Sequence, residues 1–232
     1  TATTAYPLAE GLKDQEGIEK MAVLKKNFGG TAEWKDAQIP FEGIFANNDF
    51  LQIFNFPLAK GNQGDALSLP NAIVLTEKLA SKIFGDSDPL GETIQIDEVG
   101  PFVVTGVLEE FPGKSHFDFE ALASTNGLPL LEKEGFLLAP LTDWNNIYDN
   151  YIYIKTNEEF DEANLNNFFS DAAQNNYESE GEFEGESEGD MTMTAPGELV
   201  VNDDGSGSWA SSDGSQSGSW DADGNGTFNS PQ

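Results

Sequence analysis

The chain has no cysteine and no arginine, and one histidine, His116, in 232 residues. Without cysteine there is no disulfide, no thiol nucleophile and no thiolate metal site. Without arginine no guanidinium fork can clamp a phosphate or carboxylate. All 11 basic residues are lysines, set against 41 acidic residues, so the net charge is −30. A nucleic-acid backbone must be neutralised by many cations, which excludes nucleic acid as a partner. An anionic lipid surface repels the chain for the same reason. No apolar run approaches the ~20 residues of a membrane helix, so no membrane insertion by these residues is expected. No secretory leader is visible, and Thr1 reads as a mature N-terminus or a cut end.

Catalytic constellations are equally scarce. Any Ser-His-Asp arrangement has only His116 to use. That residue lies in the alternating stretch Gly113–Phe119 after a Pro turn, with no Gly-x-Ser-x-Gly elbow, and reads as a histidine packed at a strand edge. Neither a Gly-x-x-x-x-Gly-Lys-Ser/Thr loop nor a Gly-x-Gly-x-x-Gly turn occurs. Among 41 acids, no chosen pair of carboxylates is informative. No catalytic residue is nominated, and a non-enzymatic role is expected.

What is present is a core-forming composition, 38% hydrophobic with 17 phenylalanines, distributed unevenly. Residues 1–175 hold 28 acids and every lysine, a net of −17; residues 176–232 hold 13 acids and no lysine, a net of −13. The break falls in Tyr177 to Asp190, where Glu alternates with Gly and Ser. Such a stretch self-repels, offers little to a core, and reads as an extended linker. The chain therefore divides into a globular domain over residues 1–175, an acidic Glu/Gly/Ser linker over 176–190, and a tail over 191–232.

The globular domain mixes helices and strands, the pattern of an α+β fold. Pro7 to Asp14 predicts a short helix, and Ile18 to Lys26 and Phe41 to Phe45 predict strands. Asn48 or Asp49 is expected to cap a helix running through Phe54. Ala72 to Leu75 is a brief apolar run. Thr76 then serves as N-cap of a helix whose Leu79, Ala80, Ile83 and Phe84 share a face, with Gly85 as its stop. Thr93 to Ile96, Phe102 to Leu108 and Tyr151 to Lys155 predict strands. Thr156 with Glu159 reads as a capping box for a helix burying Phe160, Ala163, Phe168 and Ala172. Phe50, Ile53, Phe54, Leu75, Leu79, Ile83, Phe84 and Val104 are expected to be buried together.

In the tail, Met191 to Thr194 and Glu198 to Val201 predict strands. An irregular repeat follows, in which a Gly turn precedes Ser/Thr and one aromatic, Trp209, Trp220 or Phe228. It reads as a meander of hairpins with the aromatics on one face. Asp221, Asp223, Asn225 and Thr227 fall at positions 1, 3, 5 and 7 of a calcium loop, with Gly226 at 6 and Phe228 at 8. Position 12 is Gln232, so the bidentate glutamate is missing, and a weak calcium site is the metal candidate; Asp, Asn and Gly also suit a tight turn without metal. No other cofactor is indicated.

Three stretches resemble a known family. They are Ala46-Asn-Asn-Asp-Phe-Leu-Gln-Ile-Phe-Asn-Phe-Pro-Leu-Ala-Lys-Gly61, then Pro70 to Ile94 with its Asp88-Pro-Leu-Gly91 turn, then Val103 to Phe119. In order and spacing they resemble the extracytoplasmic domain of MacB/FtsX-type ABC transporter permeases, in the form common in Bacteroidetes. Residues 6–45 and 144–175 are similar to its flanks more loosely. The resemblance implies a two-lobed MacB-type periplasmic core domain, here followed by the acidic linker and a β-rich Gly/Ser tail. It implies a non-catalytic module that relays conformational change in efflux or lipoprotein release and contacts other permease subunits or an adaptor. The alternative is a secreted structural or surface-assembly subunit reusing the fold, a homo-oligomer or filament in which the β-tail pairs with a neighbour by strand addition.

Overall fold

Strands of alternating or continuous apolar residues dominate the chain, and short helices fill the links between them. The computed structural model describes residues 3–97, 99–109, 117–177, 197–201, 207–211, 217–220 and 226–229. Two compact units are present, Thr1–Tyr177 and Glu178–Gln232.

In the first unit, α1 (Leu8–Leu12) precedes β1 (Ile18–Trp34) and β2 (Ala37–Ala46); α2 (Asn48–Ile53), β3 (Leu58–Gly61), β4 (Ala72–Thr76) and α3 (Glu77–Phe84) follow. Then come β5 (Thr93–Ile96), β6 (Gly100–Leu108), β7 (Ala121–Ser124), α4 (Leu128–Lys133), β8 (Asn150–Thr156) and α5 (Glu162–Tyr177). Hydrogen bonds run from β2 through β7, β4, β6, β5 and β1 and back to β2, so six strands close on themselves. β8 extends the sheet beyond β1, and β3 pairs with β6. β2–β7 and β4–β6 are parallel, and the other pairs in the ring are antiparallel. Closure leaves the ring strands without a free edge, and the edges that remain among the described residues of this unit are those of β3 and β8.

Strand alternation divides the interior. Phe28, Phe41, Ile73, Leu75, Ile94, Phe102, Val104 and Ala121 meet in one cluster drawn from all six ring strands, so this cluster fills the ring. The neighbours Val74 and Leu122 point the other way, into a second cluster with Leu24, Phe50, Leu51, Phe56 and Leu67. The eight residues expected to be buried together therefore split. Leu75, Leu79, Ile83, Phe84 and Val104 join the ring cluster, whereas Phe50 joins the second, with Ile53 and Phe54 half-buried beside it. A third cluster lies where α1 and α5 cover β1 and β8, around Leu12, Met21, Val23 and Leu165.

Helix α3 forms as the sequence indicates: the Thr76 hydroxyl accepts from the Leu79 N–H at 3.3 Å, and Gly85 ends the helix at φ 58°. Elsewhere local reading meets tertiary override. β1 does not stop at Lys26. A bulge between Lys25 and Phe28, with Asn27 at φ 67°, absorbs the interruption, and the strand continues to Trp34. On the facing strand, Gly43 is required because a Cβ would meet the Ala121 carbonyl oxygen at 2.7 Å. Asn47, not Asn48 or Asp49, stands at the start of α2, and it makes no side-chain cap. These side chains brace other strands instead. The Asn47 amide donates to the Met21 carbonyl at 2.7 Å and its oxygen accepts from the Val23 N–H at 3.1 Å, while Asp49 accepts from the Met21 N–H at 3.0 Å. The Thr156–Glu159 capping box is also replaced. Thr156 stays paired with Ile18 in the sheet, and Asp161 caps α5 by accepting from the Ala163 and Asn164 N–H groups at 2.9 and 3.3 Å. Ala163 is exposed, Phe160, Phe168 and Ala172 are half-buried, and Leu165 is the buried anchor.

In the second unit, β9 (Gly197–Val201), β10 (Gly207–Ser211), β11 (Ser217–Trp220) and β12 (Gly226–Asn229) form an antiparallel meander in sequence order. Its register aligns Leu199, Trp209, Gly218 and Phe228 in one row, and Val201, Gly207, Trp220 and Gly226 in the next of the same parity. Residues 178–190 and the expected strand Met191 to Thr194 lie outside the described residues.

Candidate functional site at the paired end strands

β1 and β8 lie side by side, antiparallel from Ile18 opposite Thr156 to Lys25 opposite Asn150. The chain enters the first unit through α1 and β1 and leaves it through β8 and α5. Thr4, upstream of α1, donates its N–H to the Asn150 carbonyl at 3.0 Å, so the beginning of the unit is also bonded to the strand by which it ends.

A charge network is buried at the top of this pair. Lys25 follows the apolar run Met21–Leu24 and is itself 5% exposed. Its ammonium donates to Asp149 Oδ2 at 2.7 Å and reaches Asn150 Oδ1 at 3.5 Å. Asn27, on the bulge, donates to the same Asp149 oxygen at 3.4 Å, and the Lys26 N–H donates to the Asp149 carbonyl at 2.7 Å. Asn150 turns its amide to the Asn146 carbonyl at 3.1 Å. Burying an ammonium is costly unless a carboxylate is paired with it, and Asp149 supplies one from 124 residues away. The pair fixes the bulge in β1 against the start of β8. With both charges satisfied, the arrangement orders strands and offers no activated nucleophile.

Directly before β8 the segment 134–149 carries exposed apolar side chains. Leu138 is 94% and Tyr148 78% exposed, with Phe136 and Ile147 partly exposed. On the other face of the pair, Tyr151 and Tyr153 stack with rings tilted by 13°, next to Phe54 and Phe117. Burial, and then the neighbouring Tyr151 phenol, push the Tyr153 hydroxyl above its ordinary range.

Asp221, Asp223, Asn225 and His116 lie outside the described residues, and Thr227 sits on β12 opposite Ser219. Among the described residues, no group of three or more His, Cys, Asp or Glu is placed to hold a metal ion. The Lys25–Asp149 pair escaped sequence reading. Its signal was a lysine pair closing an apolar strand, but nothing local named the distant partner.

Residues 1–167 match the family described as the MacB-like periplasmic core domain. The chain belongs to that family. As a MacB-like domain it is an extracytoplasmic portion of the ABC transporter permease architecture, of a kind not itself catalytic. No helix among the described residues is long and apolar enough to cross a membrane. The pyoverdine export ATP-binding/permease protein PvdT of Pseudomonas savastanoi pv. phaseolicola is 36% identical over 88 residues, 35% of this chain and 13% of that protein. Its namesake in Pseudomonas aeruginosa is 38% identical over 78 residues, 32% of this chain and 12% of that protein. The match thus spans about an eighth of the length of these curated relatives. Among solved structures, a domain of a putative permease from Porphyromonas gingivalis aligns with TM-score 0.59 at 17% identity, covering 76% of this chain and 72% of that one. The periplasmic region of MacB from Actinobacillus actinomycetemcomitans aligns with TM-score 0.52 at 14% identity, over 75% of each chain. At such identities these two likenesses concern the fold alone.

Proposed function

We propose that this MacB-like domain relays conformational change in a transporter and contacts partner proteins outside the membrane, its two lobes being the six-stranded ring and the layer of α1, β1, β8 and α5. The carrying observation is the Lys25–Asp149 pair, which ties the strand leading into the unit to the strand leading out. A partner seated on the exposed Phe136–Tyr148 segment acts directly on the start of β8, and the buried pair passes the displacement to β1. The likeness to pyoverdine exporters supports an efflux setting, with the ATPase and the membrane helices contributed by other segments or subunits.

The test uses the assembled transporter. A photo-crosslinking side chain at Leu138 is expected to capture a partner subunit, and one at Lys13 is not. Lys25→Met is expected to abolish export while ATP hydrolysis persists, because the core remains but the link between end strands is lost. Unchanged export in Lys25→Met, with no capture at Leu138, would falsify the relay.

For the tail we retain the calcium reading of Asp221, Asp223, Asn225 and Thr227. It is supported by their loop spacing and by the pairing of Trp220 with Gly226, which brackets Asp221 to Asn225. Added millimolar calcium should change tryptophan fluorescence and chelator should reverse it. An unresponsive Asp221→Ala/Asp223→Ala double variant is expected, and a flat wild-type titration sinks the idea.

A further inference from the structure

Three adjacent strands and the stretch after β6 enclose a cleft that the relay does not use. It is lined by Leu24 of β1, Ile44 of β2, Tyr151 and Tyr153 of β8, and Phe117, whose ring stands 5.9 Å from that of Tyr153. The volume is about 160 Å³. A dry cavity of roughly 150 Å³ accommodates one benzene ring, so the cleft is sized for a single six-membered ring. Tyrosine and phenylalanine walls favour a flat or gently puckered ring laid against their faces over a branched aliphatic chain.

The rim sets the charge of the occupant. Lys26 and Asp118 both border the cleft, one cationic and one anionic. The Lys26 ammonium lies 4.8 Å from the centre of the Tyr151 ring. Among the described residues no hydrogen bond engages the phenol oxygen of Tyr151 or Tyr153. An anionic ligand meets Asp118 and a chain of net charge −30. A cationic ligand meets Lys26, which already occupies the aromatic face. A hydroxyl group suits both ends of the rim, donating to the Asp118 carboxylate and accepting from the Lys26 ammonium.

We propose that this cleft is a subsite for a neutral six-membered ring bearing hydroxyl groups, packed on the Tyr153 ring beside the Lys26-covered Tyr151, with its hydroxyls on Lys26 and Asp118. A phenolic ring and a pyranose share this chemistry, and the assay separates them. The whole chain, labelled with nitrogen-15, is titrated with catechol, methyl β-glucoside, benzoate and benzylammonium while the backbone amide shifts are followed. Saturable shifts at Lys26, Asp118 and Tyr151–Tyr153 are expected from a neutral ring. Catechol alone identifies a phenolic ligand and the glucoside alone a saccharide. Tyr153→Ala is expected to weaken binding by about tenfold or more, and Tyr153→Phe, which keeps the ring, by much less. Because Tyr153 also touches Phe54 and Phe117, Asp118→Asn and Lys26→Ala serve as rim variants that leave the walls in place. Each should weaken the neutral ring severalfold. Tighter binding of benzoate or benzylammonium than of either neutral ring overturns the proposal. So does the absence of saturation by any neutral ring, or rim variants that bind like the original.

Discussion

The ring and the end-strand layer are built from the same strand β1 but from different materials. In the ring, Ile73, Leu75, Leu79, Ile94, Ile96 and Val104 are all fully buried. In the layer, the most deeply seated residue of α5 is Leu165 at 9% exposure, its neighbours Ile152, Ile154, Phe160 and Phe168 are half-buried, and order depends on a buried ion pair. Close-packed apolar interiors resist deformation, whereas partly buried segments open at lower free energy. The difference teaches where motion can be accommodated: a stiff frame carries a softer layer through which both ends of the unit pass.

The largest expected effect tests the frame. Phe84 is 4% exposed and stands 4.7 Å from the Trp34 ring. Phe84→Ala should cost about 3–5 kcal/mol, seen as a lower denaturant midpoint at constant slope. Phe168→Ala, in the layer, removes a half-buried ring and should cost about 1 kcal/mol. Equal losses at the two sites would erase the distinction between frame and layer.

The ion pair comes next. Lys25→Met strands the Asp149 carboxylate near the protein interior and should cost about 3 kcal/mol. Lys25→Met/Asp149→Leu, which removes both charges, should recover most of that loss in a double-mutant cycle. If the double variant is no better than the single one, the pair is not the clasp of the layer, and its role in the relay falls with it.

How much of this was legible depended on whether the signal was local. Helix α3 was readable because Thr76, its apolar face and Gly85 lie within ten residues and each acts on its own neighbours. The long β1 was not, because Lys25-Lys26-Asn27 and Gly29-Gly30 look like a strand end until β2, β5 and β8 are present to pair across the bulge. The start of α2 misled for a related reason. Asn48 and Asp49 have the chemistry of caps, but Leu67 and β1 compete for their oxygens and win. The short β7 shows four consecutive buried residues with no alternation, since it is covered on both faces. The resemblance to MacB-type domains rested on order and spacing across 46–119, which survive where propensities fail. The Lys25–Asp149 clasp and the tyrosine cleft were illegible because their members meet only after β8 is laid beside β1.

Tyr6 sharpens the same comparison, since it packs against both the ring cluster and the layer cluster. Burial, and secondarily the Glu10 carboxylate, push its phenol up to about 12 from an ordinary 10.0. The folded protein therefore holds this proton more tightly than the unfolded chain does. The contribution is fully present below about pH 10 and is lost as pH rises through about 12, a difference of about 2–3 kcal/mol. Alkaline unfolding curves should show that slope, and Tyr6→Phe should flatten it. An unchanged slope would mean that the two clusters do not share this residue in solution.

The smallest effects concern two exposed ion pairs, one on each region. Glu19 of β1 meets Lys155 of β8 at 2.7 Å, and Asp88, in the turn after α3, meets Lys60 of β3 at 2.8 Å. Each carboxyl is held below its usual range, chiefly by its lysine hydrogen bond. Such a contribution is present above the ordinary carboxylate range and is lost as pH falls through the lowered value. Exposure and salt screen it, so neither Lys155→Ala nor Lys60→Ala should move the unfolding midpoint measurably at physiological ionic strength. The titrations themselves should differ. Lys155→Ala removes both leading causes at Glu19, whose carboxyl should return nearly to its ordinary value. Lys60→Ala leaves Asp88 still accepting the Leu90 N–H of the Asp88–Gly91 turn, so its carboxyl should stay partly lowered. Carboxyl carbon shifts followed by NMR across the acid range read both residues at once. A full return at Asp88 would show that the turn is looser than the frame to which it belongs.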